Sequence, residues 1–547
     1  MASSKLSSKE QLKRIIYLSS PNNIYISGNP ETYSWSKYPI NLDVLDLNDK
    51  PEEFLSIIVS TSDCKFIPRR ETLFYILALY AANPKLTPEV KEKITEEALK
   101  ITKSDDDFFN YIKYSTQLRN NVTKISTNLR KYICKYYKNK TADKLADFYK
   151  DRRKCHGWSH KTLFKLCHIK TDTIEKSLIV KYILYKEENF DENINNDKAK
   201  ELIQVIKNVD TVSSAKNLED VLPIIKKLKL THQHLSQELQ KKAEAWNAVL
   251  PFMEVQDVLK VLPRLYKNGF LKLNSETHNR VVECLTDPNR VRSSTVNPVE
   301  VFIHLKNFEK GGKPIDPQLL DHLVKDKQLT EEQLLKVKTT EPKCQILIGT
   351  IHKCMSLSYH NVKGTGLKYL LTVDVTNKMD YPCLHSRNIT AIEATLSLIL
   401  FYLKTEQNVT VAVFKDKDVV TVDLKTVDSV ADMLKKIKDH ESTYLVPTAG
   451  LDWALKKCHQ FDVFINFIHH VNIANKVPKE LRSNFFSFNK PLEKYLKTVN
   501  KNAKVINVSF ASRKLATSNG SPQIIDVVGL DEGTLKVLQS FTNGKFR

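Results

Sequence analysis

The sequence predicts an α-solenoid followed by a mostly parallel α/β domain. Two observations carry this. Through the first two-thirds of the 547 residues, apolar positions recur at helical spacing, separated by short polar connections. After the segment NVKGTG (361–366) the grammar changes to strands alternating with helices. The split this implies is residues 1–362 and 363–547.

Helical periodicity is read at 70–82, 86–101, 141–150, 172–186, 198–207, 217–228, 235–249, 255–266, 298–308, 316–325 and 330–337. No repeat survives letter by letter, but successive helix pairs of this length suggest stacked units. Breaks such as DPN (287–289) mark turns, and the polar run ENFDENINNDK (188–198) reads as an exposed loop. In the second part, LKYLLTVDV (367–375) is a buried strand pattern and 389–404 a long helix. Strands follow at 409–414, 419–424, 461–467, 504–510 and 523–529. Helices are expected at 427–438, at 449–458 and from Asp531. No Gly-x-Gly-x-x-Gly follows the first strand, so a dinucleotide site is not expected.

The charge is unevenly placed. The chain carries a formal +21, and residues 119–170 hold 15 Lys or Arg against three acids, a net +12. Tyr132, Tyr136, Tyr137, Tyr149, Trp158 and Phe164 are interleaved with them. Such a block fits a polyanionic partner, phosphate backbones first; a solvated helix face is the plain alternative. At its end, residues 151–170 read DRRKCHGWSHKTLFKLCHIK. Ser159 is placed to cap a helix whose apolar side is Leu163, Phe164, Leu166 and Cys167. Lys161, Lys165 and His168, at i, i+4 and i+7, share another face. Cys155, His156, His160, Cys167 and His168 fit no compact zinc finger. Trp158 is read as core more than as a base-stacking ring.

These residues also carry a resemblance. GWSHKTLFKLCHIK behind a basic run resembles the hallmark of the Ro ribonucleoprotein autoantigen family. QLKRIIYLSSPNNIYI, RRETLFYILALY, NLRKYICKYY, KAEAWNAVLPFM, VNPVEVFIHLKNFEKG and KYLLTVDVTNKM follow the same order along the chain. The resemblance implies a TROVE-like ring of HEAT-like helical repeats closed by a von Willebrand factor A-like domain. It implies binding of Y RNAs on the outside of the ring and of misfolded small RNAs in its hole. Arg130, Lys131, Arg152, Arg153, Lys154, His160, Lys161, Lys165, His168 and Lys170 are the candidate RNA-binding residues. His168 matches an RNA-contacting histidine of the family. Asp151 and Cys155 stand where family members usually carry basic residues, which puts Y-RNA affinity in question.

The A-like domain is expected to have a degenerate ion site. Such domains place Asp-x-Ser-x-Ser after the first strand, then a Thr and an Asp from later loops, all oxygen donors for a hard divalent ion. Here Asp374 and Thr376 fit, but Lys378 departs from the pattern. Leu451 precedes Asp452 where a threonine is expected, and Ile468 and His469 stand in the third loop. Lys378 either takes the ion's electrostatic place or points to solvent. His469 and His470, adjacent on a strand end, are poorly set for one ion.

No P-loop, Gly-x-Ser-x-Gly or His-Glu-x-x-His is present, so the expectation is a protein without enzymatic activity or cofactor. The polar N-terminus is no signal peptide, and no apolar run is long enough to span a bilayer. Nine scattered cysteines read as reduced thiols of a cytoplasmic or nuclear protein. The reading is a monomeric RNA-binding protein for small structured noncoding RNAs in RNA quality control, with room for protein partners at the A-like domain. The rival is a protein-interaction scaffold that has lost Y-RNA specificity.

Overall fold

The computed structural model describes residues 6–45, 47, 50–119, 125–151, 154–186, 196–310, 344–440, 442, 444–469, 488–512, 515 and 521–546. The chain packs as two compact units, one of residues 42–253 and one of residues 1–41 with 254–547.

The 42–253 unit is helical. Its helices pack on the helix two places further along: Glu71–Ala81 on Asp105–Gln117, Pro88–Ile101 on Thr127–Asn139, and Thr127–Asn139 on His160–Cys167. This is stacked-pair packing, as expected of a solenoid. Local chemistry sets the helix starts. Thr87, Ser104, Ser126, Ser159, Thr173 and Asn196 each accept a hydrogen bond from a first-turn N–H, satisfying a donor the helix cannot pair. Arg70 links successive pairs, holding Asp107 at 2.9 Å and the carbonyls of Ser62 at 2.7 Å and Ile101 at 2.9 Å. The helix read at 217–228 is only Leu222–Leu228, because Pro223 sits in its first turn and favours a start there. The one read at 235–249 is Ala243–Val249 behind two 3₁₀ turns.

The other unit carries a seven-stranded sheet. In chain order its strands are β1 (Ile24–Ile26), β4 (Lys368–Val373), β5 (Asn408–Lys415), β6 (Asp418–Thr421), β7 (Val463–Phe467), β8 (Lys504–Ser509) and β9 (Ile524–Val528). The remaining two, β2 (Lys154–Cys155) and β3 (Trp158–Ser159), form a small ribbon in the helical unit. The sheet order is β1-β9-β8-β7-β4-β5-β6, parallel except for the β5–β6 pair. The helices Ala391–Thr405, Val430–Lys438, Ala449–Lys457 and Thr534–Thr542 alternate with the strands. The final helix starts at Thr534 rather than Asp531, because the Asp531 carboxylate accepts from the Gly533 N–H and the Thr534 hydroxyl and so shapes the entry turn.

Reading residues 1–362 as helical is corrected at its start. Ile24–Ile26 is a strand, pairing in parallel with Asp526–Val528. The buried Arg14 secures the crossing, donating to Asn23 and to the Pro522 carbonyl. The helices read at 316–325 and 330–337, and most of the loop read at 188–198, lie outside the described residues. Among the described residues no helix is long and apolar enough to cross a membrane.

Candidate nucleic-acid interface

The basic segment folds around a tight ribbon. β2 and β3 pair Lys154 with Ser159 and Cys155 with Trp158. The two residues between them, His156 and Gly157, have φ of 50° and 84°. Two consecutive left-handed residues make the turn that suits a two-residue hairpin, which is where glycine is needed. His156 Nε2 lies 3.0 Å from Asn110 Oδ1, tying the ribbon to the helix Asp105–Gln117. Ser159 then caps the helix His160–Cys167 through the Thr162 N–H at 3.2 Å.

That helix has two faces, as its sequence suggests. Leu163, Phe164 and Cys167 are buried, while Lys161, Lys165 and His168 are exposed; Leu166, read on the apolar side, is exposed with them. His168 ends the helix in a left-handed conformation, φ 50°. Lys154 and Lys170 are exposed as well. Among the described residues none of these five makes an ion pair, so the charge of the four lysines is available to a ligand. Arg130, exposed on the helix Thr127–Asn139, lies close enough to act on the Cys167 thiol at the end of the His160 helix. Arg152 and Arg153 lie outside the described residues.

Three expectations change. His160 is fully buried, so it does not belong to the exposed surface. Its Nδ1 is 2.9 Å from the Tyr137 hydroxyl, and Phe109, Tyr137 and Phe148 surround the ring. Lys131 is exposed but pairs with Glu92 at 2.8 Å, as the neighbouring Lys135 pairs with Glu96 at 2.9 Å. The interleaved Tyr132 and Tyr137 are core, both against Phe108 and Tyr137 also against Phe148 and Phe164, while Trp158 and Phe164 are buried as read. Cys155 is half-buried. Asp151 is exposed, 3.6 Å from the Lys150 ammonium and 4.0 Å from His234 Nε2.

The ion loop of the other unit is built differently. Asp374 follows the last residue of β4, in the middle of the sheet, and is fully buried. Its two carboxylate oxygens accept the backbone N–H of Thr376 at 2.8 Å and of His469 at 3.2 Å. Burial pushes its pKa up; those N–H groups and the Lys378 charge pull the other way. Lys378, half-buried in the turn Asn377–Asp380, makes no ion pair with Asp374 among the described residues. Leu451 is packed into the apolar core. Asp452 accepts from the Thr448 hydroxyl at 3.1 Å. Burial raises its pKa as well, and the charges acting on it are Lys456, Asp418 and Lys494, none from the Asp374 loop. His469 contributes its backbone, its ring lying against Tyr381 at 5.4 Å between centroids. His470 lies outside the described residues. The residues present do not fit a hard divalent ion: an oxygen donor is replaced by a buried leucine, and a lysine charge acts on the Asp374 carboxylate.

Comparison with known proteins agrees with this architecture. Residues 368–542 match the family described as the Ro60 vWA domain. The chain is 21% identical over 463 residues to the RNA-binding protein RO60 of Caenorhabditis elegans, across 76% of this chain and 66% of that protein's length. It shares its fold with the crystal structure of the Deinococcus radiodurans RO (RSR) protein, at a TM-score of 0.79 and 16% identity, over 98% of this chain and 100% of that one. The domain match, the relative spanning three-quarters of the chain and the fold shared along nearly all of it make the chain similar to Ro proteins through most of its length.

Proposed function

We propose that this protein binds small structured noncoding RNAs, Y-RNA-like or misfolded, as a non-catalytic ribonucleoprotein component in RNA quality control. It would act as a monomer in the cytoplasm and nucleus, with its A-like domain free to engage proteins. The observation that carries the reading is the exposed surface of Lys154, Lys161, Lys165, His168 and Lys170, beside Arg130, whose lysine charges the described fold leaves uncompensated. Its register supports phosphate contacts: Lys161 and Lys165 stand one helical turn apart. The name of the nematode relative, an RNA-binding protein, supports the same partner.

Binding of a structured small RNA, measured from about 50 to 200 mM salt, tests the reading. The wild type should bind, with log affinity falling linearly against log salt. The variant Lys161→Ala, Lys165→Ala, His168→Ser should bind more weakly across unrelated RNA sequences, with a shallower slope. Unchanged affinity in that variant would remove this surface as the site and favour the scaffold reading.

A further inference from the structure

Glu300 and His304 stand one turn apart on the helix Pro298–Glu309. Asn297 fixes the start of that helix, accepting the Glu300 N–H at 3.0 Å. Glu532 comes from the turn before the helix Thr534–Thr542. Asp531 fixes that turn, accepting the Gly28 N–H and the Tyr25 hydroxyl, both at 2.9 Å. One ligand atom from each of Glu300, His304 and Glu532 lies within 4.8 Å of the others. His304 Nε2 is 3.7 Å from a Glu532 oxygen. Ligands held at about 2.0–2.1 Å around a tetrahedral ion stand roughly 3.3–3.5 Å apart, so little movement separates this trio from a coordination shell.

We propose that Glu300, His304 and Glu532 form a binding site for a zinc-class divalent ion, clipping the helix Pro298–Glu309 to the turn that enters the last helix. Two features point to a ligand. First, His304 Nε2 is buried and has no hydrogen-bond partner among the described residues. A buried imidazole nitrogen left without a partner is costly. Second, the site sets a buried carboxylate beside a second carboxylate. Burial, then Glu532, push Glu300 up to about 7, although Lys260 and Lys536 pull it down. Neither lysine forms an ion pair with Glu300 among the described residues. A proton or a metal ion relieves that arrangement, and only the metal also uses the histidine. Burial, helped by Lys260, pushes His304 down to about 4, so its ring is neutral with a lone pair to offer.

One nitrogen and two carboxylate donors suit Zn²⁺, Co²⁺ or Ni²⁺ rather than Mg²⁺ or Ca²⁺, which take oxygen shells. Glu532, 52% exposed, leaves a side open for a water ligand. These residues are separate from the ion loop at Asp374 and from the basic surface at Lys161.

Calorimetric titration of the full chain with ZnCl₂ at pH 7 tests the site. One ion should bind per chain, and MgCl₂ should give no comparable heat. His304→Ala, and separately the exposed and conservative Glu532→Gln, should each weaken binding by more than roughly a hundredfold, since losing even an outer partner typically costs about 10- to 100-fold. Co²⁺ in the site should show visible d–d bands without sulfur charge transfer, which separates it from binding by the nine cysteines. No binding to the wild type, unchanged affinity in both variants, or a thiolate spectrum would each overturn the proposal.

Discussion

Two helices of the basic block carry the same pair of charges and put them to different use. Lys131 and Lys135, i and i+4 on the helix Thr127–Asn139, face Glu92 and Glu96, i and i+4 on the helix Pro88–Ile101, at 2.8 Å and 2.9 Å. Lys161 and Lys165, at the same spacing on the helix His160–Cys167, face no acid among the described residues. The first pair is neutralised within the chain and the second is not. A block's net charge is therefore a poor guide to which of its cations bind a ligand. What decides is the neighbouring helix, and exposed ion pairs of this kind add only about 0–1 kcal/mol of stability.

The largest effect expected from this contrast is in RNA affinity. Lys161→Ala, Lys165→Ala, His168→Ser should lower affinity for a structured small RNA roughly a hundredfold, at about tenfold for each lysine. The slope of log affinity against log salt should fall by roughly one to one and a half. Filter binding or fluorescence anisotropy at several salt concentrations checks both. Equal losses from Lys131→Ala, Lys135→Ala would break the comparison, since that double change should cost no more than about twofold.

His160 lies on the same helix as Lys161 but inside the fold, so its replacement should act through stability. His160→Ala empties an aromatic-lined site and leaves the buried Tyr137 hydroxyl without its 2.9 Å partner. The expected cost is about 2–4 kcal/mol in chemical denaturation, with an unchanged salt slope for the protein that remains folded.

A third test concerns buried charge, at Glu300 and His304. Glu300 has a folded pKa of about 7 against an ordinary 4.5, so the folded state holds that proton more tightly. The stability this contributes is present at low pH and is lost as pH rises from about 4.5 to about 7. His304 has a folded pKa of about 4 against 6.5, so its contribution runs oppositely, rising over much of the same window. With divalent ions chelated, wild-type stability should vary little from these two groups between pH 4.5 and 6.5. Glu300→Gln should gain on the wild type across that range, by up to about 3 kcal/mol above pH 7. Parallel pH–stability curves would show that Glu300 is not held as described.

The smallest effect sharpens the opening contrast. Glu92→Gln, Glu96→Gln frees Lys131 and Lys135, and should raise RNA affinity by a few-fold while steepening the salt slope. No change would mean that those two lysines lie beyond the reach of the RNA.

Helices announced themselves where an apolar stripe, a cap and a polar break coincided, as at Thr87, Ser159 and Thr173. The strands of the sheet's interior were legible because burial on both faces leaves continuous apolar runs. β1 was not, since three residues are too few to show a period and its partner lies far along the chain. At the basic surface, the cap at Ser159 and the exposed positions of Lys161, Lys165 and His168 could be read locally. The pairing of Lys131 and Lys135 could not, because each partner sits 39 residues upstream on another helix. His160 misled for a related reason: its aromatic surroundings come from three separate helices. The Glu300–His304 spacing is visible in the sequence, but Glu532 joins it only through the fold.

The strand β1 also fixes an order of events during synthesis. Ile24 pairs with Asp526, so the edge of the sheet is laid down first and completed last. At about 5–20 residues per second, some 500 residues separate the two on the ribosome, a delay of roughly 25–100 s. Through that interval the first strand's backbone groups have no sheet to join. A chain that stops short of Ile524 never supplies one, so premature termination near the end should expose the amino-terminal segment and mark the product for degradation.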